Sequence, residues 1–163
     1  MGDWIDDLER NVKDRETAQL EKDKIRVYKS KIISAKLPIF WKELNEQIDG
    51  DCAKIKERLP DKIEYHCRKE EGGANSFRLI PMKDRGPLCV LDVSLNIDGQ
   101  CINVSEQHIG ARYSPREQRI EISAELSENN GLLLRYRHDV YNTAQALSQD
   151  LIKRCISNKE MDG

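Results

Sequence analysis

No stretch of this chain approaches the roughly 20 consecutive apolar residues that a membrane helix requires, so no membrane partner is expected. There is no disulfide or zinc-ribbon framework either. The five cysteines, Cys52, Cys67, Cys89, Cys101 and Cys155, are odd in number, widely spaced and without a C-x-x-C pair. The opening MGDWIDDLER turns acidic within three residues and lacks the basic-then-apolar pattern of a secretory leader. Reduced thiols in the cytoplasm are therefore the expectation. On the same ground the Asn103-Val104-Ser105 triplet is not read as a glycosylation acceptor. A strong charge of one sign is also missing. Twenty-seven basic against twenty-nine acidic side chains leave a net charge of −2, which gives the whole molecule no bias toward nucleic acid.

The chain likewise lacks G-x-G-x-x-G, G-x-x-x-x-G-K-[ST], H-E-x-x-H, G-x-S-x-G and EF-hand patterns. Gly72-Gly73 is the only glycine pair, and no helical pattern follows it, so it reads as a loop. No cofactor, no metal and no catalytic residue is assigned. Of the three histidines, His66 lies beside Cys67, His108 follows a hairpin and His138 precedes Asp139. Cys67 with a distant histidine is a conceivable nucleophile and base pair, and Cys67 with Cys101 and two histidines a conceivable zinc set. Neither has a diagnostic spacing, and alternation places Cys67 with Ile63 and Tyr65 as a core thiol.

What is present suits one domain. The 163 residues are 38% apolar and 34% charged, enough for a core because the apolar positions concentrate after residue 60. The first 59 residues are rich in Lys, Glu, Asp, Ile and Leu, which favours helix. Pro38 suggests two helices, about 3–35 and 38–58, with a single kinked helix as the alternative. Leu37, Phe40, Trp41, Leu44, Ile48, Cys52, Ile55 and Leu59 recur at steps of three or four and form one face. Asp14 to Lys24 shows almost no apolar face.

Beyond Pro60 the period shortens. Ile63–Cys67 and Phe77–Met82 read as strands, with a polar loop at 70–75 and a turn at 83–87. Residues 88–97 and 100–106 flank Asp98-Gly99, the dipeptide of a two-residue type I′ hairpin. That register faces Leu95 with Ile102 and Val93 with Val104. Asn96/Cys101, Ser94/Asn103 and Asp92/Ser105 fall on the polar side. A second hairpin joins Arg119–Leu126 to Leu132–Arg137 through a loop at 127–131, with Ala124 opposite Leu134 and Ile122 opposite Tyr136. Asp139 is the expected cap of a last helix whose stripe is Val140, Ala144, Leu147, Leu151 and Cys155, widened by Tyr141 and Ile152. The expected fold is α+β. A long N-terminal helical region precedes a five- to six-stranded antiparallel meander and a C-terminal helix, and the helices cover one sheet face. The expected division is a charged arm at 1–36, a domain at 37–158 and a disordered tail at 159–163.

Two surfaces are candidates for function. On the polar sheet face, Arg135 and Arg137 lie two apart and are expected to point the same way. With Glu121 and Asn103 nearby they form a candidate site for a carboxylate or phosphate, and the alternative function is a small anionic-ligand-binding protein or an enzyme that uses this face. The other surface is the arm. Residues 1–23 carry eight acids and four bases, a sum of −4, whereas residues 24–42 carry six bases and no acid, +6. Ile25, Tyr28, Ile32, Ala35 and Ile39 line one side of the basic stretch, flanked by Lys24, Lys29, Lys31 and Lys36. A parallel pairing would face lysine with lysine across the seam. An antiparallel homodimer through residues 3–36 would lay acid on base. Nucleic acid on the basic stretch is the less expected partner, and a solvated face packed on its own domain is the alternative. The leading expectation is a non-enzymatic interaction or scaffold protein that binds itself or a protein partner.

Overall fold

The computed structural model describes residues 3–83, 88–110 and 113–156, with 110 and 113–116 described as backbone only. Among these the chain runs as a helix α1 (Trp4–Arg58), seven strands and a helix α2 (Ala144–Ile156). The strands are β1 (Cys67–Glu71), β2 (Ser76–Pro81), β3 (Leu88–Asn96), β4 (Cys101–Gly110), β5 (Tyr113–Leu126), β6 (Leu132–Tyr136) and β7 (Asp139–Tyr141). They form one antiparallel sheet in simple sequence order. Among the described residues no helix is long and apolar enough to cross a membrane. The turn expected at 83–87 and the tail at 159–163 fall mostly or wholly outside the described residues.

α1 is a single helix of 55 residues, not two. Pro38 removes the hydrogen bond that residue 38 would donate to the carbonyl of Ser34. It sits on the exposed side, however, and the same turns bury Ile33, Leu37, Phe40, Trp41, Leu44 and Ile48 on the other. Packing holds the helix through the proline.

Period-2 alternation builds the other half of the core. Phe77 and Leu79 of β2, Leu91, Val93 and Leu95 of β3, Ile102 and Val104 of β4, and Ile120 and Ile122 of β5 form one cluster with both helices. α2 supplies Ala144, Leu147, Leu151, Ile152 and Cys155. Trp41 and Phe77 stack at 5.2 Å between ring centroids. Lys69 of β1 crosses to α1, reaching Asn45 and Asp49 at 3.1 Å each.

The expected registers hold. β3 and β4 pair Leu95 with Ile102, Val93 with Val104, Asn96 with Cys101, Ser94 with Asn103 and Asp92 with Ser105. β5 and β6 pair Ala124 with Leu134, although their ladder stops at Ser123/Arg135, short of Ile122 and Tyr136. The β3–β4 turn itself differs. Residues 97–100 all lie in the turn, and the positive φ falls on Gln100, at 53°, not on Asp98. A four-residue loop has the same midpoint as a two-residue one, so the register survives the change of turn type.

Other assignments shift. Ile63–Tyr65 is a 3₁₀ turn, and the first strand starts at Cys67, taking in Glu70 and Glu71 from the expected loop. β4 and β5 pair well beyond residues 106 and 119, with an irregularity between His108 and Gly110. Arg137 leaves the strand with φ 56°, which lets residues 139–141 return as a seventh strand. Asp139 and Val140 thus belong to β7 and not to the last helix. The cap is Thr143, whose hydroxyl accepts the Ala146 amide at 3.1 Å.

Candidate functional site

The first 26 residues of α1 leave the domain. From Trp4 to Lys29 no side chain is buried. At about 1.5 Å per residue this is roughly 40 Å of projecting helix. It is held by local means. Asp3 caps it by accepting the Ile5 amide at 3.3 Å, and Asp6 and Asp7 lie in the first turn. Glu9 pairs with Lys13 at 3.7 Å and Asp23 with Arg26 at 3.0 Å. Such pairs stabilise a helix by about 0.2–0.5 kcal/mol each.

The projecting segment carries apolar side chains in water. Trp4 is 70% exposed and Tyr28 59%, and Ile5, Leu8, Val12, Leu20, Ile25 and Val27 are also exposed. At about 100° per residue, Trp4, Ile5, Leu8 and Val12 share the side that later packs on the sheet. Ile25, Tyr28 and Ile39 lie on the opposite side, facing away from the domain, with the half-buried Ile32 beside them. Of the expected partner-binding residues, Lys24, Ile25, Tyr28, Lys29, Lys31 and Lys36 are exposed and Ile32 is half-buried. Two loops grip the base of the segment. Gln100 donates to the Ser30 carbonyl and hydroxyl at 2.9 Å and to the Ser34 hydroxyl at 3.2 Å. Lys36 donates to the carbonyl of Asn130.

The polar sheet face is organised differently from the expectation. Arg135 ion-pairs with Glu125 at 3.0 Å, while Arg137, in the turn, lies 5.2 Å from the Tyr136 ring. Arg137 thus lies beyond the end of β6, outside the strand geometry on which the expected pairing rested. Asn103 and Glu121 do meet, opposed on β4 and β5, within a shallow depression of about 560 Å³ that Asp92, Ser105, Glu117 and Arg119 also line. Ser105 donates to Glu117 at 2.8 Å and Arg119 pairs with it at 3.3 Å. In that order these two bonds hold the Glu117 carboxyl below its usual range. Asp92 takes Arg78 at 2.6 Å and Gln107 at 3.0 Å. An anion arriving here meets carboxylates and guanidiniums already paired, which favours a solvated surface over an anion site.

Two clusters escaped the reading of the sequence. Cys52 of α1, Cys67 of β1 and Cys155 of α2 converge, with Cys52 and Cys67 sulfurs 3.3 Å apart. A hydrogen bond with Cys155 and burial push the Cys67 thiol up to about 12, so Cys67 is a protonated core thiol. The second cluster is Cys89, Glu106 and His108, whose donor atoms all lie within 4.8 Å of one another. Glu106 is a buried carboxylate, 7% exposed. Its Oε1 takes Arg154 of α2 at 3.0 Å, its Oε2 lies 3.6 Å from His108 Nε2, and Arg154 also binds Asp150 at 2.8 Å. Tyr141 donates to Asp150 at 2.9 Å. Burial first, then this bond to Asp150, raises the Tyr141 phenol above its ordinary range. Extending the hairpin register by three pairs would have found the cluster, because Cys89 faces His108 and Leu91 faces Glu106.

Comparison with protein-family models, with curated proteins and with solved structures finds no match to this chain. Its function is therefore argued from its own geometry.

Proposed function

We propose that the chain is a non-enzymatic cytoplasmic interaction domain whose projecting helix pairs with that of a second copy in antiparallel sense. The observation that carries this reading is the exposed apolar surface of the arm, set on a helix whose two ends carry opposite charge. A monomer leaves Trp4, Ile5, Leu8 and Val12 in water at an acidic tip. It also leaves Ile25, Tyr28 and Ile39 in water along a basic base. Antiparallel pairing brings Trp4 of one copy toward Ile39 of the other, Leu8 toward Ile32 and Val12 toward Tyr28. Asp3, Asp6, Asp7 and Glu9 then approach Lys29, Lys31 and Lys36. The apolar side moves round the helix between tip and base, more steeply than a regular heptad seam. The pair is therefore a short crossing wrap and not an extended coiled coil. The loops that hold Ser30, Ser34 and Lys36 lie on the domain side and leave the outward stripe open.

Sedimentation of the full chain tests this. The expected result is a dimer that weakens at high salt. Lys24→Glu with Lys29→Glu and Lys31→Glu is expected to break it by repulsion from the acidic tip. Adding Asp3→Lys, Asp6→Lys and Asp7→Lys is expected to restore it. A chain that is monomeric at about 100 μM and low salt, a regime where such surface charges are least screened, would refute the proposal. A dimer indifferent to both charge changes would refute the antiparallel arrangement.

A further inference from the structure

We infer that Cys89, Glu106 and His108 form a binding site for a zinc-class divalent cation. The site does not depend on the arm or on the pairing proposed above. Three donors of different kind, a thiol sulfur, a carboxylate oxygen and an imidazole nitrogen, meet within 4.8 Å. The sheet places them there by register. Cys89 and His108 are directly opposed on β3 and β4, and Glu106, two residues before His108, shares its face. Cys89 and Glu106 are buried, and the His108 side chain is 21% exposed. The site thus lies at the edge of the core with one side toward solvent.

The donor set selects the metal. A thiolate with an imidazole suits zinc and its borderline neighbours, whereas calcium and magnesium require all-oxygen cages. Bonds of about 2.0–2.3 Å in tetrahedral geometry set donor atoms roughly 3.3–3.8 Å apart. The Glu106 to His108 separation of 3.6 Å already fits, and the Cys89 sulfur lies within 4.8 Å of both donor atoms. The carboxylate is also held as a metal ligand needs to be held. Arg154 takes Oε1, leaving Oε2 directed at His108, and Asp150 and Tyr141 fix Arg154 in turn. Such outer partners orient a ligand without occupying its metal-binding atom. Binding releases the Cys89 thiol proton to solvent as the S–Zn bond forms. The charge of the network Glu106, Asp150 and Arg154 is −1, and the cation with the Cys89 thiolate brings it to zero. Among the described residues these three supply the protein ligands, one short of a tetrahedral set.

The test is titration of the reduced, metal-stripped full chain with zinc against a chromogenic chelator, and with cobalt(II) as a spectroscopic substitute. One equivalent of metal, with a sulfur-to-cobalt charge-transfer band, is expected. Cys89→Ser should abolish the band, and His108→Asn should weaken binding at least tenfold, as loss of one of three ligands implies. His108 is the most exposed of the three, so His108→Asn, with its folding checked by circular dichroism, decides the matter if Cys89→Ser proves unstable. Cys52→Ser with Cys67→Ser should leave band and stoichiometry unchanged. Failure of the wild-type chain to bind, or a band that survives Cys89→Ser, would overturn the inference. So would a band lost with the Cys52/Cys67 pair, which would place the metal in the thiol cluster instead.

Discussion

One helix behaves as two materials. From Ile33 to Arg58, α1 buries Leu37, Phe40, Trp41, Leu44 and Ile48 against the sheet, and packing carries it through an internal proline. From Trp4 to Lys29 the same helix buries nothing and rests on a cap, propensity and pairs such as Glu9–Lys13. The contrast shows how far sequence composition and tertiary contact can each sustain a helix. Composition suffices where Lys, Glu and Arg fill exposed turns. It does not suffice to hold Pro38, where the neighbouring side chains must be buried.

The comparison can be broken at several points. The largest effect is expected where α2 meets the sheet. Arg154→Ala leaves Glu106 buried without its cation and should cost about 3–5 kcal/mol, read as a lower midpoint of urea unfolding. Arg154→Met with Glu106→Leu should recover most of that loss. Leu44→Ala, in the packed half of α1, should cost about 2–5 kcal/mol. Leu20→Ala, on the arm, should change the global midpoint by less than about 0.5 kcal/mol. Both are read in the dilute, high-salt monomer, where a similar cost at both sites would mean that the arm packs on its own domain.

Two smaller effects sharpen the same distinction. Thr143→Ala should cost about 1 kcal/mol because α2 is docked and its cap is part of the cooperative unit. In the same monomer Asp3→Ala should not move global unfolding, since the tip of α1 buries no side chain in its own domain. It should instead reduce the helical signal in far-ultraviolet circular dichroism. The last test uses pH. The Cys67 thiol is raised in the folded state from 9.0 to about 12, so the native state holds its proton more tightly than the unfolded chain does. The resulting stabilisation is complete below about pH 9 and is lost as pH rises toward 12. Unfolding midpoints should fall across that range, and Cys67→Ser should make the decline shallower. A decline of equal steepness in both proteins would assign it elsewhere.

The sheet was largely legible in the sequence because alternation is a local property. Val93, Leu95, Ile102 and Val104 declare both their face and their register, and the register survived even though Gln100, not Asp98, takes the left-handed conformation. The helix at Pro38 was less legible, because its continuity depends on partners such as Phe77 that are distant along the chain. Arg137 was misread for a related reason. Nothing between Leu132 and Tyr141 marks where a strand yields to a turn, and its positive φ arises from the return of β7. The arm was visible as a charge boundary, and its outward apolar stripe followed from spacing. The candidate metal site was hidden because Cys89, Glu106 and His108 are separated in sequence and unite only when β4 is followed past Glu106.

The grip of Gln100 on Ser30 and Ser34 has a mechanical consequence. A hairpin tip clasps the helix where it departs from the globular body, and no flexible joint intervenes. A torque applied at Trp4 is therefore delivered to the β3–β4 hairpin. The far end of that hairpin, one strand length away, is where Cys89 and His108 face each other.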